Sequence, residues 1–158
     1  MKSLLLNLLV AVIWLLLQTA PSLRHFAFGF VLGFALLALF QPVLGSQVYV
    51  RRMLAGVRFT WVFACAFATS CWDLIRTILF VPVSRLRPAF IDYDVSDLSR
   101  AEILLLSHCI SLTPGTNTVD IAPDFSRLKL HVLDCPDAEA VRRSIDDSLR
   151  RGILAFTR

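Results

Sequence analysis

The sequence predicts an α+β membrane protein with an N-terminal transmembrane helical hairpin over residues 1–50. An amphipathic interfacial or third transmembrane helix follows over 51–83, then a small β-α-β-β-α domain over 84–158. Three observations predict this. Charge is segregated: residues 1–50 carry only Lys2 and Arg24, whereas 84–158 carry ten basic and eleven acidic residues. With 56% hydrophobic residues and a mean hydropathy of +0.67, the 158-residue chain is too apolar for one water-soluble domain. Beyond Pro82 and Pro88 the period of apolar residues also changes, from helical to the alternation of strands.

The hairpin comes first. Residues 4–20 form an almost unbroken apolar run ended by Pro21, and residues 26–40 form a second, extended by His25 and by Gln41-Pro42-Val43-Leu44. Each is close to the ~20 residues that span a hydrocarbon core. The link Pro21-Ser22-Leu23-Arg24 is so short that the two helices must be antiparallel neighbours. Lys2 before an apolar stretch also suits a signal peptide, but Gln18-Thr19-Ala20 lacks a small residue at −3 and Pro21 follows, which disfavours cleavage. Gly29 and Gly33 make a G-x-x-x-G, which permits close approach of another helix.

In the middle segment Arg51, Arg58, Thr69, Asp73 and Arg76 fall on one stripe of an otherwise apolar helix. The stretch between Arg58 and Asp73 is short for a span, so an interfacial helix is favoured over a third crossing. If the hairpin has both ends inside and this segment does not cross, Lys2, Arg51-Arg52 and Arg85/Arg87 all lie on the cytoplasmic side. The C-terminal domain is then cytoplasmic. The basic excess near the membrane meets anionic lipid, and no polar platform with stacking aromatics points to nucleic acid.

In the C-terminal domain Ile91, Tyr93 and Val95 share one face of a first strand, with Asp92 and Asp94 on the other. Ser99-Arg100-Ala101-Glu102 fits a capping box, and the helix it opens must stop at Pro114-Gly115. Thr118–Ile121 and Arg127–Leu133 alternate as a strand hairpin with a five-residue loop. A last helix runs from about Pro136 to Arg151, with Ala138, Val141, Ile145 and Leu149 as its buried stripe and Gly152 as its stop.

Little in the chain points to chemistry. Cys65, Cys71, Cys109 and Cys135 form no C-x-x-C and read as buried apolar thiols, and His25, His108 and His131 have no ligand partner at helical or hairpin spacing. No metal, no cofactor and no catalytic residue is expected, since nothing resembles a nucleophile–base pair or a carboxylate dyad. The most distinctive segment is Ser111–Thr118. Its hydroxyls and free amides would suit a loop that holds an ion or phosphate, and equally a helix stop in which Thr and Asn bond the loose backbone groups. Asp120 either bonds the turn hydroxyls or lies on a solvated strand face. An ion path needs ionisable groups near the midplane. The hairpin offers only Asn7 and Gln18 near its ends, and Asp73 with Arg58 or Arg76 forms an intramembrane pair only if 53–80 crosses.

With these residues laid out, the chain resembles the E subunit of the multisubunit cation/proton antiporters of bacteria, the Mrp or Mnh type. The resemblance rests on Ile110-Ser111-Leu112-Thr113-Pro114-Gly115-Thr116, then Thr118-Val119-Asp120-Ile121, Leu130-His131-Val132-Leu133-Asp134 and the final basic helix. The hairpin with Trp14, Pro21 and Gly29/Gly33 is also similar. Ser111-Leu112 departs from a commoner Thr-Leu. The resemblance implies an accessory, non-catalytic subunit in a bacterial cytoplasmic membrane, partnered by large antiporter-like subunits and other small ones, and needed for assembly and activity of Na⁺/H⁺ exchange. It implies that Thr113, Pro114, Gly115 and Thr116, with Asp120, shape a partner-docking turn, and it leaves Arg58, Asp73 and Arg76 as a polar stripe on the membrane helix. A second hypothesis is a free-standing membrane-anchored module that binds a soluble ligand through the 113–118 turn.

Overall fold

Two apolar helices open the chain: α1 spans Lys2–Leu16 and α2 spans Leu23–Leu39, and a further turn, α3, covers Gln41–Leu44. The computed structural model describes residues 2–158. α1 stops one turn earlier than its composition suggests, and the Gln18 side-chain amide donates to the freed Trp14 carbonyl at 3.3 Å. Phe40 (φ −100, ψ 28) interrupts the run between α2 and α3, and Gly45 closes it in the left-handed region at φ 61.

The chain divides into two units, residues up to Leu54 and Ala55–Arg158. In the first, the two glycines of the G-x-x-x-G face α1. A Cβ on Gly29 would lie 2.9 Å from Trp14 Cβ and 3.0 Å from Ala11 Cα, and one on Gly33 would lie 2.2 Å from Asn7 Oδ1. The motif therefore serves the hairpin itself, with Asn7, Ala11, Gly29, Gly33 and Leu37 buried along the seam. Asn7 is fully buried; its amide donates to the Tyr49 hydroxyl at 2.7 Å, while its carbonyl oxygen has no hydrogen-bond partner among the described residues. The buried Ser46 hydroxyl donates to the Leu37 carbonyl at 2.6 Å.

A single helix, α4, occupies Gln47–Phe80, 34 residues, and is long and apolar enough to cross a membrane by length and composition. Most of it belongs to the second unit, where it precedes a short 3₁₀ turn at Val83–Arg85 and the mixed domain. Strand β1 (Ala89–Asp94) is followed by α5 (Arg100–Leu112), then β2 (Thr116–Ile121) and β3 (Arg127–Val132). The sheet order is β1-β3-β2, antiparallel throughout. Ile91 faces Leu130 and Tyr93 faces Leu128, which puts the apolar alternation of both strands on one side. That side packs on Ile103, Leu106, Cys109 and Ile110 of α5 and on Ile145, Leu149 and Ile153 of the C-terminal helical segment. The other side is largely polar, with Phe90 packed on the His131 ring and Val119 exposed at the β2 bulge.

The α5 capping box forms as its sequence requires. Ser99 N–H donates to Glu102 Oε2 at 2.8 Å, and the Ser99 hydroxyl oxygen accepts from Glu102 N–H.

The C-terminal segment departs from expectation. It is helical over Ala138–Ile145 (α6), makes a π-helical turn at Asp146–Arg150 and continues as α7 over Arg151–Thr157. Gly152 is therefore not a stop. It lies inside the helix because Phe59 of α4 fills the place of its side chain: a Cβ there would meet Phe59 Cδ2 at 2.4 Å. Phe59 also stacks near Phe156, with ring centroids 5.5 Å apart, and near Phe63. Both Phe59 and Phe63 pack on the domain core.

Glu102 is buried and gathers the end of α7. Its carboxylate accepts from the Thr157 hydroxyl at 2.6 Å and from the Arg158 guanidinium at 3.3 Å. These bonds, Thr157 first, then Arg158 and the Ser99 amide, hold its pKa down from 4.5 to about 2. On the far side of the C-terminal segment, burial and then the Asp146 carboxylate push the Tyr93 phenol up, and Arg150 bonds the Tyr93 hydroxyl, Asp94 carbonyl and Asp97 carboxylate.

Three outcomes are expected. In mild detergent, Gly33→Val and Gly152→Val each lower the melting midpoint of the full chain, by the equivalent of about 1–3 kcal/mol of overpacking. Gly56→Ala, where nothing lies within 4 Å of the new methyl, raises it slightly. Because the folded carboxyl of Glu102 titrates lower than the unfolded one, its ionised form stabilises the fold fully above pH 4.5, and that contribution is lost as pH falls toward 2. Glu102→Gln therefore costs about 1–3 kcal/mol at neutral pH, and the gap to the parent chain, followed by denaturant midpoints, closes through that acid window.

Candidate functional site

The Thr-Pro-Gly-Thr turn is built by the end of α5. Pro114 has no N–H to continue the helix, and Gly115 takes φ 94, a left-handed value that a side chain resists. Thr113 N–H donates to the Cys109 and Ile110 carbonyls at 3.2 and 3.1 Å, and its hydroxyl donates to Cys109 O at 2.9 Å. The Thr116 hydroxyl lies 3.1 Å from Ile110 O and 3.2 Å from Thr113 O. The Gly115 carbonyl accepts from Leu133 N–H at 2.9 Å, tying the turn to the end of β3. Both hydroxyl protons are thus directed inward to carbonyls that the helix end leaves open. This geometry favours the helix-stop reading of the turn over an ion- or phosphate-holding loop.

The outer side of the turn is one wall of a groove of about 330 Å³ in the second unit. Ser70, Asp73 and Thr77 of α4 line the facing wall, and Ser144 and Ser148 border it from the C-terminal segment. Apolar Leu74, Ile110, Val141 and Leu149 form much of the rest, with Asp134 at the end of β3. The Asp134 carboxylate accepts from Arg87 N–H at 3.2 Å. The charged side chains lining the groove are both acidic, Asp73 and Asp134, set among hydroxyls and aliphatic carbons.

The fold thus brings together Thr113, Pro114, Gly115, Thr116 and Asp73, residues from two motifs that are separate in sequence. Arg76 sits one turn along α4 in a separate hollow with Asp73, Thr77, Phe80 and Val81. Arg58 lies at the other end of the helix, outside the groove. Asp120 is not brought to the turn. A bulge between Thr118 and Asp120 shifts the register so that Asp120 pairs with Lys129, and its carboxylate accepts from the N–H of the next residue, Ile121, at 2.9 Å. The neighbouring turn contacts come instead from Ser111 and Thr118: the Ser111 hydroxyl accepts from Thr118 N–H at 3.2 Å.

Ser70, Thr77 and Ser144 escaped sequence reasoning, and Asp134 entered it only as the end of the Leu130–Asp134 motif. For α4 the signal was present: Ala66, Ser70, Leu74 and Thr77 recur at spacings of three and four, a second, weakly polar face beside the Arg58–Asp73–Arg76 stripe. The cysteines also differ in part from expectation. Cys109 is buried, and burial pushes its thiol up, whereas Cys65 is exposed on α4. Among the described residues, no group of three His, Cys, Asp or Glu side chains is arranged to hold a metal ion.

Comparison with known proteins places this architecture. The family model described as Na+/H+ ion antiporter subunit matches residues 7–156. The E subunit of the Na(+)/H(+) antiporter of Alkalihalophilus pseudofirmus is 31% identical over 156 residues, covering 99% of this chain and 98% of its own. That of Bacillus subtilis is 28% identical over the same length, with the same shares covered. A chain in the structure of the membrane-bound sulfane sulfur reductase, an archaeal respiratory membrane complex, shares the fold with a TM-score of 0.60 at 19% identity, over 96% of both chains. With its mixed helices and small antiparallel sheet, the chain belongs to the family of Na+/H+ antiporter E subunits.

Proposed function

We propose that this chain is an accessory, non-catalytic subunit of a multisubunit monovalent-cation (Na⁺)/proton antiporter, needed for the complex to assemble and work. The observation that carries the proposal is the match of residues 7–156 to the antiporter subunit family, together with 31% identity to an antiporter E subunit across nearly the whole of both chains. As an antiporter subunit it is a membrane protein, placed here in the bacterial cell membrane as a multi-pass chain.

Within that reading, residues 1–50 cross the bilayer as a hairpin. α2 and α3 together offer a run over residues 26–44, apolar apart from Gln41, and α1 rises about 22 Å, which flanking residues extend toward the ~30 Å core. The G-x-x-x-G is spent inside the hairpin, so the surface offered to neighbouring subunits is the leucine- and phenylalanine-rich outside of α1 and α2. Residues 84–158 form the cytoplasmic domain, consistent with Lys2, Arg51-Arg52, Arg85 and Arg87 on one side of the membrane.

The docking role falls to the groove beside the Thr113–Thr116 turn. A turn whose threonine hydroxyls are satisfied internally is held in place, and such a wall loses little entropy when a partner seats against it. The aliphatic floor suits an apolar side chain of another subunit, and Asp73 and Asp134 suit a basic group beside it. Asp73 acts here as part of a docking rim and not in ion movement.

Ser144 is exposed on the groove edge, and its side-chain hydroxyl makes no hydrogen bond among the described residues. Ser144→Trp is expected to leave the chain folded and membrane-bound while lowering recovery of the assembled complex about tenfold, the effect of ~1.4 kcal/mol. Na⁺/H⁺ exchange in everted vesicles falls in proportion. Unchanged assembly and exchange with the groove filled would remove the docking role.

A further inference from the structure

The second unit presents α4 with two apolar faces that meet different surroundings. At 100° per residue, Phe59, Phe63, Ala66, Ser70, Leu74 and Thr77 fall within about 80° of one another. Phe59 and Phe63 pack on the domain core, Gly152 and Phe156 close around Phe59, and the remaining four line the groove against the domain. The opposite sector, again about 80° wide, holds Val57, Trp61, Ala64, Ala68, Trp72, Ile75 and Leu79, all exposed and all apolar. The two tryptophans are 72% and 61% exposed. Between the sectors, on one flank, stand Arg58 and Arg76, both exposed, with Thr69 and Asp73.

From this arrangement we infer that residues 57–79 of α4 lie in the plane of the membrane, their Val57–Trp61–Trp72–Leu79 face seated at the headgroup–acyl boundary of one lipid leaflet, with the α/β domain carried on the opposite face. The inference rests on the reading of the chain as a membrane subunit and adds where this helix sits.

The occupant of this face is the lipid surface, on grounds of both geometry and chemistry. If α4 crossed the bilayer, the stretch Phe59–Thr77, which rises about 27 Å, would lie in hydrocarbon. The elements packed along it would enter with it: the Thr113–Thr116 turn, Asp134, Ser144 and Ser148. Irregular backbone and charge exposed to lipid are not tolerated there. A helix lying flat incurs no such cost, because its polar flank and its domain stay in water. Tryptophans prefer the headgroup level, where an apolar ring and an N–H are both accommodated, and flanking guanidiniums meet lipid phosphates.

The test is depth measurement by spin-label power saturation. The full chain, with its four native cysteines replaced by alanine, carries one nitroxide at a time at positions 57, 61, 68, 72, 75 and 79, and separately at 58 and 76, in phosphatidylcholine–phosphatidylglycerol vesicles. The expected result is one common depth for the six, about 5–10 Å below the boundary, with 58 and 76 shallower and more open to a water-soluble nickel relaxant. A crossing helix would instead place position 68 about 16 Å deeper than position 57, and that profile overturns the inference, as would six labels all exposed to water. Circular dichroism on each labelled variant confirms that the fold is kept. Because the vesicles hold no other subunit, the depth profile is independent of whether the chain assembles with antiporter subunits.

Discussion

The contact on which the second unit depends is the one between Phe59 of α4 and Gly152 of the C-terminal helix. The missing side chain at residue 152 lets an aromatic ring rest on helical backbone, and that ring leads Phe63 onto the core made by the sheet and α5. A small domain of about seventy residues has limited apolar surface of its own to bury. Two phenylalanines borrowed from the preceding helix extend its core; being partly buried, each contributes less than the about 1.5–3 kcal/mol of a fully buried ring. The same contact turns a helix with the length of a membrane span into a scaffold with a domain on its side. It also opens the groove next to the Thr-Pro-Gly-Thr turn, because α4 and the domain share a wall near Ala66–Thr77.

Much of this was legible in residues. Pro21 and the short link dictated the hairpin; Ser99 and Glu102 dictated the start of α5; Pro114-Gly115 dictated its end; Ile91, Tyr93, Leu128 and Leu130 carried the period of two that sets the sheet. What was not legible came from contacts distant in sequence. Gly152 read as a stop because local rules place glycine after helices, and only Phe59, more than ninety positions away, explains a glycine inside one. Asp120 read either as a partner of the turn hydroxyls or as part of a solvated strand face, and the bulge between Thr118 and Asp120 leaves it exposed opposite Lys129. The groove itself is a juxtaposition of α4 with the 113–116 turn that periodicity cannot supply. Its hydroxyl residues, Ser70, Thr77 and Ser144, carry no motif.

The two units divide their use of glycine and polar groups in an informative way. In the hairpin, Gly29 and Gly33 let the backbones of α1 and α2 approach closely. The buried Asn7 bonds Tyr49 and tethers the start of α4 to α1. In the domain, polar groups instead close elements on one another: Glu102 gathers Ser99, Thr157 and Arg158, and Arg150 gathers Tyr93, Asp94 and Asp97. Neither set is arranged as an ion relay. Each joins elements of its own unit that are distant in sequence.

The chain is read as one part of a larger membrane assembly. The most direct measurement is purification of the tagged full chain from its own membranes in mild detergent, with mass spectrometry of everything that stays bound. Large antiporter-like subunits recovered in fixed proportion with the chain are the predicted result. A stable, folded chain recovered alone would contradict it.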